Sequence, residues 1–385
     1  MVILDDLKQI KKIDKSNMSN FIADLPDQFL RAYQQSQKIK LPKSYQNIST
    51  KGIVSASKGK PISDWKNIVI CGLGGSAISG DLAKIIISDQ LAIPLIINRD
   101  WTLPSIIINE ETLVILVSYS GETRETLSCA KQALEKGAKI IAITSGGSLK
   151  KIIQHPIFCG KTKEQPPIFN FQYKSPPRAG LGYLMMPILV ILEKLNLIDL
   201  KKIKIQTCLK ELKNFNQTFY PKTPTEKNIA KYLAYFIFDH LPIIIVPEKL
   251  AGLGRRWKTQ LAENSKNFSF FETQPEIFHN FVESELPWRL KDEFALLIIE
   301  KPAAFVSGAP GDKKSVENNS LTGLEKILDQ EDIKWERIPC FGGNLLSQVL
   351  SLVLLGDWVS FYLAILNNID PTPTERIQWL KKQLK

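Results

Sequence analysis

Glu111–Leu127 reads ETLVILVSYSGETRETL. Five consecutive apolar residues, Leu113, Val114, Ile115, Leu116 and Val117, break into Ser118, Tyr119, Ser120, Gly121, Glu122 and Thr123. An apolar run of this length, bounded by small polar residues, is the pattern of a central parallel strand covered on both faces. The ETRETLSCAKQALEKGAK that follows reads as the helix leaving the strand's carboxyl end. Open α/β sheets bind ligands at such junctions. Ser118, Ser120 and Thr123 offer three hydroxyls, and the N–H groups from Gly121 onward open a helix whose positive end favours an anion. The residues fit a phosphate cradle of a kind that needs no lysine, and no G-K-[ST] follows this strand. They fit equally a serine-rich loop whose hydroxyls cap the helix.

Upstream, Asn67–Leu73 (NIVICGL) repeats the arrangement: a buried-strand run, then Gly74, Gly75, Ser76, Ala77, Ile78, Ser79 and Gly80. Gly72, Gly74 and Ala77 satisfy G-x-G-x-x-[GA], the dinucleotide fingerprint. That reading calls for an acidic residue on the ribose after the next strand, where the chain has Asn98 and Arg99 before Asp100. Ser76 is better explained as a further phosphate donor beside Ser118 and Ser120. Apolar runs at 67–72, 94–98, 113–117 and 139–143, separated by helical segments, give a doubly wound parallel sheet. Gln165–Arg178 (QPPIFNFQYKSPPR) reads as a proline-punctuated connector, and Arg178 stands at the entrance to the apolar helix AGLGYLMMPILVILEKLNL. A charge there calls for either a function or a structural ion pair.

The pattern recurs from residue 225. LPIIIVP (241–247), FALLIIE (294–300) and WERIP supply strands, and GLGRRWKTQLAENSK reads as another glycine turn leading into a helix. Residues 301–319 read as a surface loop, and 345–366 as a buried helix or helix pair, interrupted by Gln348, Gly356, Asp357 and Ser360. The chain therefore divides into an N-terminal helical arm (1–60), a first α/β subdomain (61–175), linking helices (176–224), and a second α/β subdomain with a closing helix (225–385). Within the arm, Phe21, Ile22, Leu25, Phe29, Leu30 and Tyr33 fall at helical spacing.

At 385 residues, 44% hydrophobic and 23% charged, the chain has the composition of a globular protein of two or three domains. The formal charge of +11 is scattered over helical segments, with pile-ups no longer than Lys201, Lys202 and Lys204, so it implies a solvated surface and not a nucleic-acid partner. Five cysteines, Cys71, Cys129, Cys159, Cys208 and Cys340, lack a C-x-x-C pair and read as reduced core thiols. MVILDDLKQIKK is no signal peptide and no uninterrupted apolar run is long enough to span a membrane, so a cytoplasmic protein without membrane contact is expected. Glu263, in TQLAENSK, and His279, in TQPEIFHNFVE, are each more often bland than catalytic when taken alone.

Taken together, CGLGGSAISGD, SYSGETRETL, PPRAGLGYL, RRWKTQLAENSKN, PEIFHN and GDWVSFYLAILNNIDPTPTERIQWLK resemble, in order and over nearly the whole chain, the bifunctional phosphoglucose/phosphomannose isomerases of the sugar isomerase (SIS) superfamily. The resemblance implies two SIS-type doubly wound subdomains. It implies that Gly75, Ser76, Ser118, Ser120 and Thr123 hold a sugar 6-phosphate, that Glu263 moves a proton between C2 and C1, and that Arg178 stabilises the enediolate. His279 with Lys381 would open the sugar ring, in a homodimer whose active sites are shared, without metal or cofactor. The other class of reading is a sugar-phosphate sensor without chemistry; the absence of a helix-turn-helix pattern and the retention of Glu263, His279 and Arg178 count against it. Phe278 and Phe281 depart from the family's PELNHNE, placing aromatic rings beside His279.

Overall fold

The computed structural model describes residues 3–46, 65–158, 164–285, 287–302, 305 and 313–383. In chain order the elements are α1 (Leu7–Ile13), α2 (Met18–Ala23), α3 (Leu25–Ser36), α4 (Lys43–Gln46), β1 (Asn67–Cys71), α5 (Gly75–Ile87), β2 (Leu95–Asn98), β3 (Thr112–Ser118), α6 (Arg124–Glu135), β4 (Lys139–Thr144), α7 (Gly147–Ile153), β5 (Ile168–Asn170) and α8 (Leu181–Lys194). Then come α9 (Ile205–Phe219), α10 (Ile229–Phe236), β6 (Leu241–Pro247), α11 (Ala251–Gln260), β7 (Phe270–Gln274), β8 (Phe294–Ile299), α12 (Lys313–Gln330), β9 (Lys334–Ile338), α13 (Leu345–Leu366) and α14 (Glu375–Gln383). They form two compact units, Asp27–Ile205 and Met1–Pro26 with Gln206–Lys385.

The unit of residues 27–205 carries a five-stranded parallel sheet in the order β2-β1-β3-β4-β5. Every residue of β1 and β3 is buried, as their unbroken apolar runs require in a sheet covered on both faces. Cys129, Ala130 and Ala133 of α6 and Leu149 and Ile153 of α7 join Val69, Val114, Leu116 and Ala142 in one core cluster on one face. On the other face α5 packs against α8, whose residues Leu181–Leu192 are all buried. Strand order reverses between β1 and β3, and at that switch point loops diverge to opposite faces and leave a crevice at the carboxyl ends. The connector holds one element that the reading above omits: Ile168–Asn170 pairs with β4 as the edge strand β5. Three residues flanked by prolines are too few to show the period-2 alternation that marks a strand.

The unit of residues 206–385 with the first 26 carries a four-stranded parallel sheet, β7-β6-β8-β9. The apolar stretch 345–366 is a single 22-residue helix, capped by Asn344, whose side chain accepts from Ser347 N–H. Its length and hydropathy would suffice for a bilayer, yet Leu346–Ile365 are all buried and pack against α2, α10 and α11. Gly252 and Gly254 do not form a turn but lie inside α11. A Cβ on Gly254 would stand 2.9 Å from the Phe271 ring and 3.0 Å from Val246, so this glycine serves the close approach of helix to sheet. Of the segment 301–319, residues 303–304 and 306–312 lie outside the described residues, and 313–319 begin α12 in place of a loop. That helix is anchored by Leu324 and Leu328, which with Leu321 fall at helical spacing and pack on the core beside β8. Four of the five cysteines are described, and all four are free thiols.

Candidate active site

In the first unit the stretch 118–123 forms a compact turn at the carboxyl end of β3. Ser118 is fully buried, its Oγ 2.9 Å from Thr123 Oγ1 and accepting from Gly121 N–H at 3.1 Å. Ser120 Oγ accepts from Glu122 N–H at 3.2 Å. Thr123 is the N-cap residue of α6, yet its side chain makes no bond to the first turn of that helix. The hydroxyls thus close the loop on itself, and the capping alternative does not describe them. Ser76, in the first turn of α5, accepts from Tyr119 N–H at 3.3 Å, which joins the turns after β1 and β3 directly.

A third turn, Thr144–Gly147 after β4, braces this loop. Tyr119 O accepts from Ser145 N–H at 3.1 Å and Ser145 Oγ at 2.7 Å, and the Glu122 carboxylate accepts from Ser148 N–H at 2.7 Å and from its Oγ at 2.8 Å, capping α7. Gly121 has φ +72°, and a Cβ there would lie 2.0 Å from Gly146 O, so no other residue fits. This support was available in the sequence as Thr144-Ser145-Gly146-Gly147 following an apolar run, but only the tertiary structure shows what it touches.

Arg178 lies in a 3-10 turn, Pro177–Ala179, and is only 5% exposed. Its backbone sits on the N-terminus of α5: a Cβ on Gly75 would stand 3.3 Å from Pro177 O and 3.4 Å from Arg178 Cα. Gln28 of α3 holds the same turn, donating through Nε2 to Ala179 O at 2.8 Å and accepting from Gly182 N–H at 2.6 Å. The unit therefore gathers Gly75, Ser76, Ser118, Ser120, Thr123 and the Arg178 backbone at one end of one sheet. Hydroxyls and a helix N-terminus beside a guanidinium segment suit an anion.

The second unit carries Glu263, His279 and Lys381. Glu263 is half-buried and sits in a π-helical turn, Leu261–Ser265, that prolongs α11, a local widening that recurs at functional positions. One face of this helix is joined to α13: Arg256 Nη2 lies 2.6 Å from Asp357 Oδ2, Gln260 Nε2 donates to Asp357 Oδ1 at 2.8 Å, and Asn264 Nδ2 donates to Ser360 Oγ at 2.9 Å. Residues 256, 260 and 264 recur at intervals of four, so this face is fixed. Glu263 lies three residues after Gln260, at the border of that fixed face. These buried partners were not singled out from sequence, although R-x-x-x-Q-x-x-x-N on a helix is a polar stripe that a packed environment must satisfy.

His279 is exposed on a 3-10 turn after β7, while Phe278 and Phe281 pack on the core of Ile243, Ile245, Ile277, Leu296 and Ile298. The two aromatic departures are thus partly buried against the edge of that core. Glu263 precedes the amino end of β7 and His279 follows its carboxyl end, so the two belong to opposite ends of the same strand. Lys381 lies on α14, every residue of which is exposed.

Residues 226–384 match the family model for the bacterial phospho-glucose isomerase C-terminal SIS domain, and residues 61–151 match the SIS domain. The chain is 34% identical over 369 residues to the bifunctional phosphoglucose/phosphomannose isomerase of Caldicellulosiruptor bescii, covering 95% of this chain and 98% of that protein. It is 30% identical to the protein of the same description from Aquifex aeolicus, over 85% of this chain and 92% of that one. Among solved structures, the C-terminal domain of glucosamine-fructose-6-phosphate aminotransferase from Francisella tularensis has a TM-score of 0.64 at 13% identity, covering 92% of this chain and 98% of that one, a likeness of fold. With two parallel-sheet units, both family models and full-length relatives in agreement, this chain belongs to the bifunctional phosphoglucose/phosphomannose isomerase family.

Proposed function

We propose that the protein interconverts glucose 6-phosphate, and also mannose 6-phosphate, with fructose 6-phosphate through a cis-enediolate. Gly75, Ser76, Ser118, Ser120 and Thr123 hold the 6-phosphate, and Arg178 faces the negative charge that the enediolate develops. Glu263 carries the proton between C2 and C1, and His279 with Lys381 opens the ring. Both aldoses give the same enediolate, so one base serves both. The observation that carries the reading is the convergence of the turns after β1 and β3 at the switch point of the sheet, with the Arg178 turn resting on the same helix N-terminus. The test is a coupled assay of the purified protein with glucose 6-phosphate and mannose 6-phosphate in the presence of a chelator. Turnover of both is expected, and turnover of neither would remove the assignment.

The active unit on this reading is a homodimer in which His279 completes the partner's site. Support comes from the placement of Glu263 and His279 at opposite ends of β7, whose five residues span ~16 Å at the ordinary rise per residue. Exposed apolar side chains at Phe268 (82%), just before that strand, and Phe270 (50%), its first residue, give an isologous interface material to bury.

Ser118→Ala combined with Thr123→Val is expected to raise KM far more than it lowers thermal stability. Each hydrogen bond to a charged group contributes about 1.5–3 kcal/mol, whereas the bonds lost from the free protein, the Ser118–Thr123 hydroxyl pair and Gly121 N–H to Ser118 Oγ, are neutral and contribute about 1 kcal/mol each. Competitive inhibition by inorganic phosphate reports the site without chemistry. An unchanged inhibition constant in the double variant would place the phosphate elsewhere.

A further inference from the structure

Tyr119 is enclosed by the cradle residues Ser118 and Ser120, but its side chain is turned away from them toward the segment that carries Arg178. The hydroxyl donates to Tyr173 O, accepts from Ser175 N–H at 3.0 Å, and lies 3.1 Å from Ser175 Oγ. The ring packs edge-on to Phe171 at 5.4 Å between centroids, and on the far side of Arg178 it occupies the space of a missing side chain: a Cβ on Gly180 would fall 2.4 Å from Tyr119 Cε2. One side chain therefore grips the 173–180 segment on both sides of Arg178. Its backbone is fixed in turn by Ser76 Oγ through N–H and by Ser145 through the carbonyl.

We propose that Tyr119 is a positioning residue for Arg178, tying the guanidinium segment to the loop that receives the phosphate. The inference rests on the isomerase reading for the role of Arg178, but the tether itself is a property of the 27–205 unit. Anion binding and charge stabilisation are distinct tasks performed by different residues, and a rigid link between them converts phosphate binding into correct placement of the charge. Without the hydroxyl, the phosphate loop retains every bond made by Ser118, Ser120, Thr123 and the Tyr119 backbone, whereas residues 173 and 175 lose their anchor.

Tyr119→Phe keeps the ring and removes one oxygen. For fructose 6-phosphate, kcat is expected to fall about tenfold while KM and the inhibition constant of inorganic phosphate change by less than about twofold, the split that loss of placement without loss of binding produces. A second measurement is independent of turnover. Phenylglyoxal, a dicarbonyl that condenses with guanidinium groups, should label the buried Arg178 at least about threefold faster in the variant, with the adduct located by peptide mass spectrometry. Equal labelling rates, or a KM that rises as far as kcat falls, would overturn the proposal. If the wild-type protein turned over no sugar phosphate, the isomerase reading would fail while the labelling comparison still decided whether Tyr119 holds Arg178.

Discussion

Glu263→Gln is expected to fold as the wild type does and to lose kcat by about 10²–10⁴-fold, the usual contribution of a positioned general base. Glutamine occupies nearly the same volume and still fills the half-buried place at the π turn, but it has no basic oxygen to take the proton from C2. The turn has backbone and side-chain bonds of its own. Asn264 donates to Ser360, Asn367 Nδ2 donates to Ser265 O at 3.3 Å, Ser265 Oγ donates to Leu261 O at 2.7 Å, and Lys266 Nζ reaches the backbone carbonyl of residue 263 at 2.5 Å. The KM for either sugar phosphate should stay close to wild type, because the groups assigned to the phosphate lie in the other unit. Activity within about threefold of wild type would remove Glu263 from the mechanism. A cooperative thermal transition at the wild-type midpoint separates loss of chemistry from loss of fold.

What the sequence made legible follows from where each signal resides. Strands β1, β3, β4, β6 and β8 were readable because burial on both faces leaves a run of apolar residues that no surface element shows. Their adjacency placed Ser76 beside Ser118 before any coordinates. Strands β5 and β7 were not readable: one has three residues, and Phe270–Gln274 is an edge strand with alternating partial exposure, FFETQ, whose polar half looks like loop. Glycine misled at Gly252 and Gly254, since a glycine demanded by close packing and one demanded by backbone conformation are identical in sequence. Phe278 and Phe281 stand out in sequence as a change to the surroundings of His279, and only the structure shows that they also pack, partly buried, against the core. Tyr119 was in view from the start, as the middle of SYSG, but its reach to residues 173 and 175 is 54 and 56 positions away in sequence and is set by the fold.

Mixing two inactive variants is expected to restore activity that neither possesses. On the proposed mechanism Glu263→Gln lacks the base, and His279→Ala lacks the imidazole that would open the ring of the cyclic substrate. The positions precede and follow opposite ends of β7, an arrangement that favours action in different sites. In a two-fold dimer every contact is made twice, so if one protomer's Glu263 acts with the partner's His279, a mixed dimer has one site with both lesions and one with neither. Random exchange of equal amounts makes about half of the dimers mixed, and half of their sites are intact, so roughly a quarter of wild-type activity should return. If both residues act within one chain, every mixed site carries one lesion and nothing returns. Exchange must be shown independently, by native mass spectrometry of the mixed species, and the assay run on ring-closed glucose 6-phosphate so that the loss of His279 is felt. Demonstrated exchange without restoration would rule out the shared site while leaving the isomerase assignment in place, because base, arginine and phosphate cradle would then serve their own chain's imidazole.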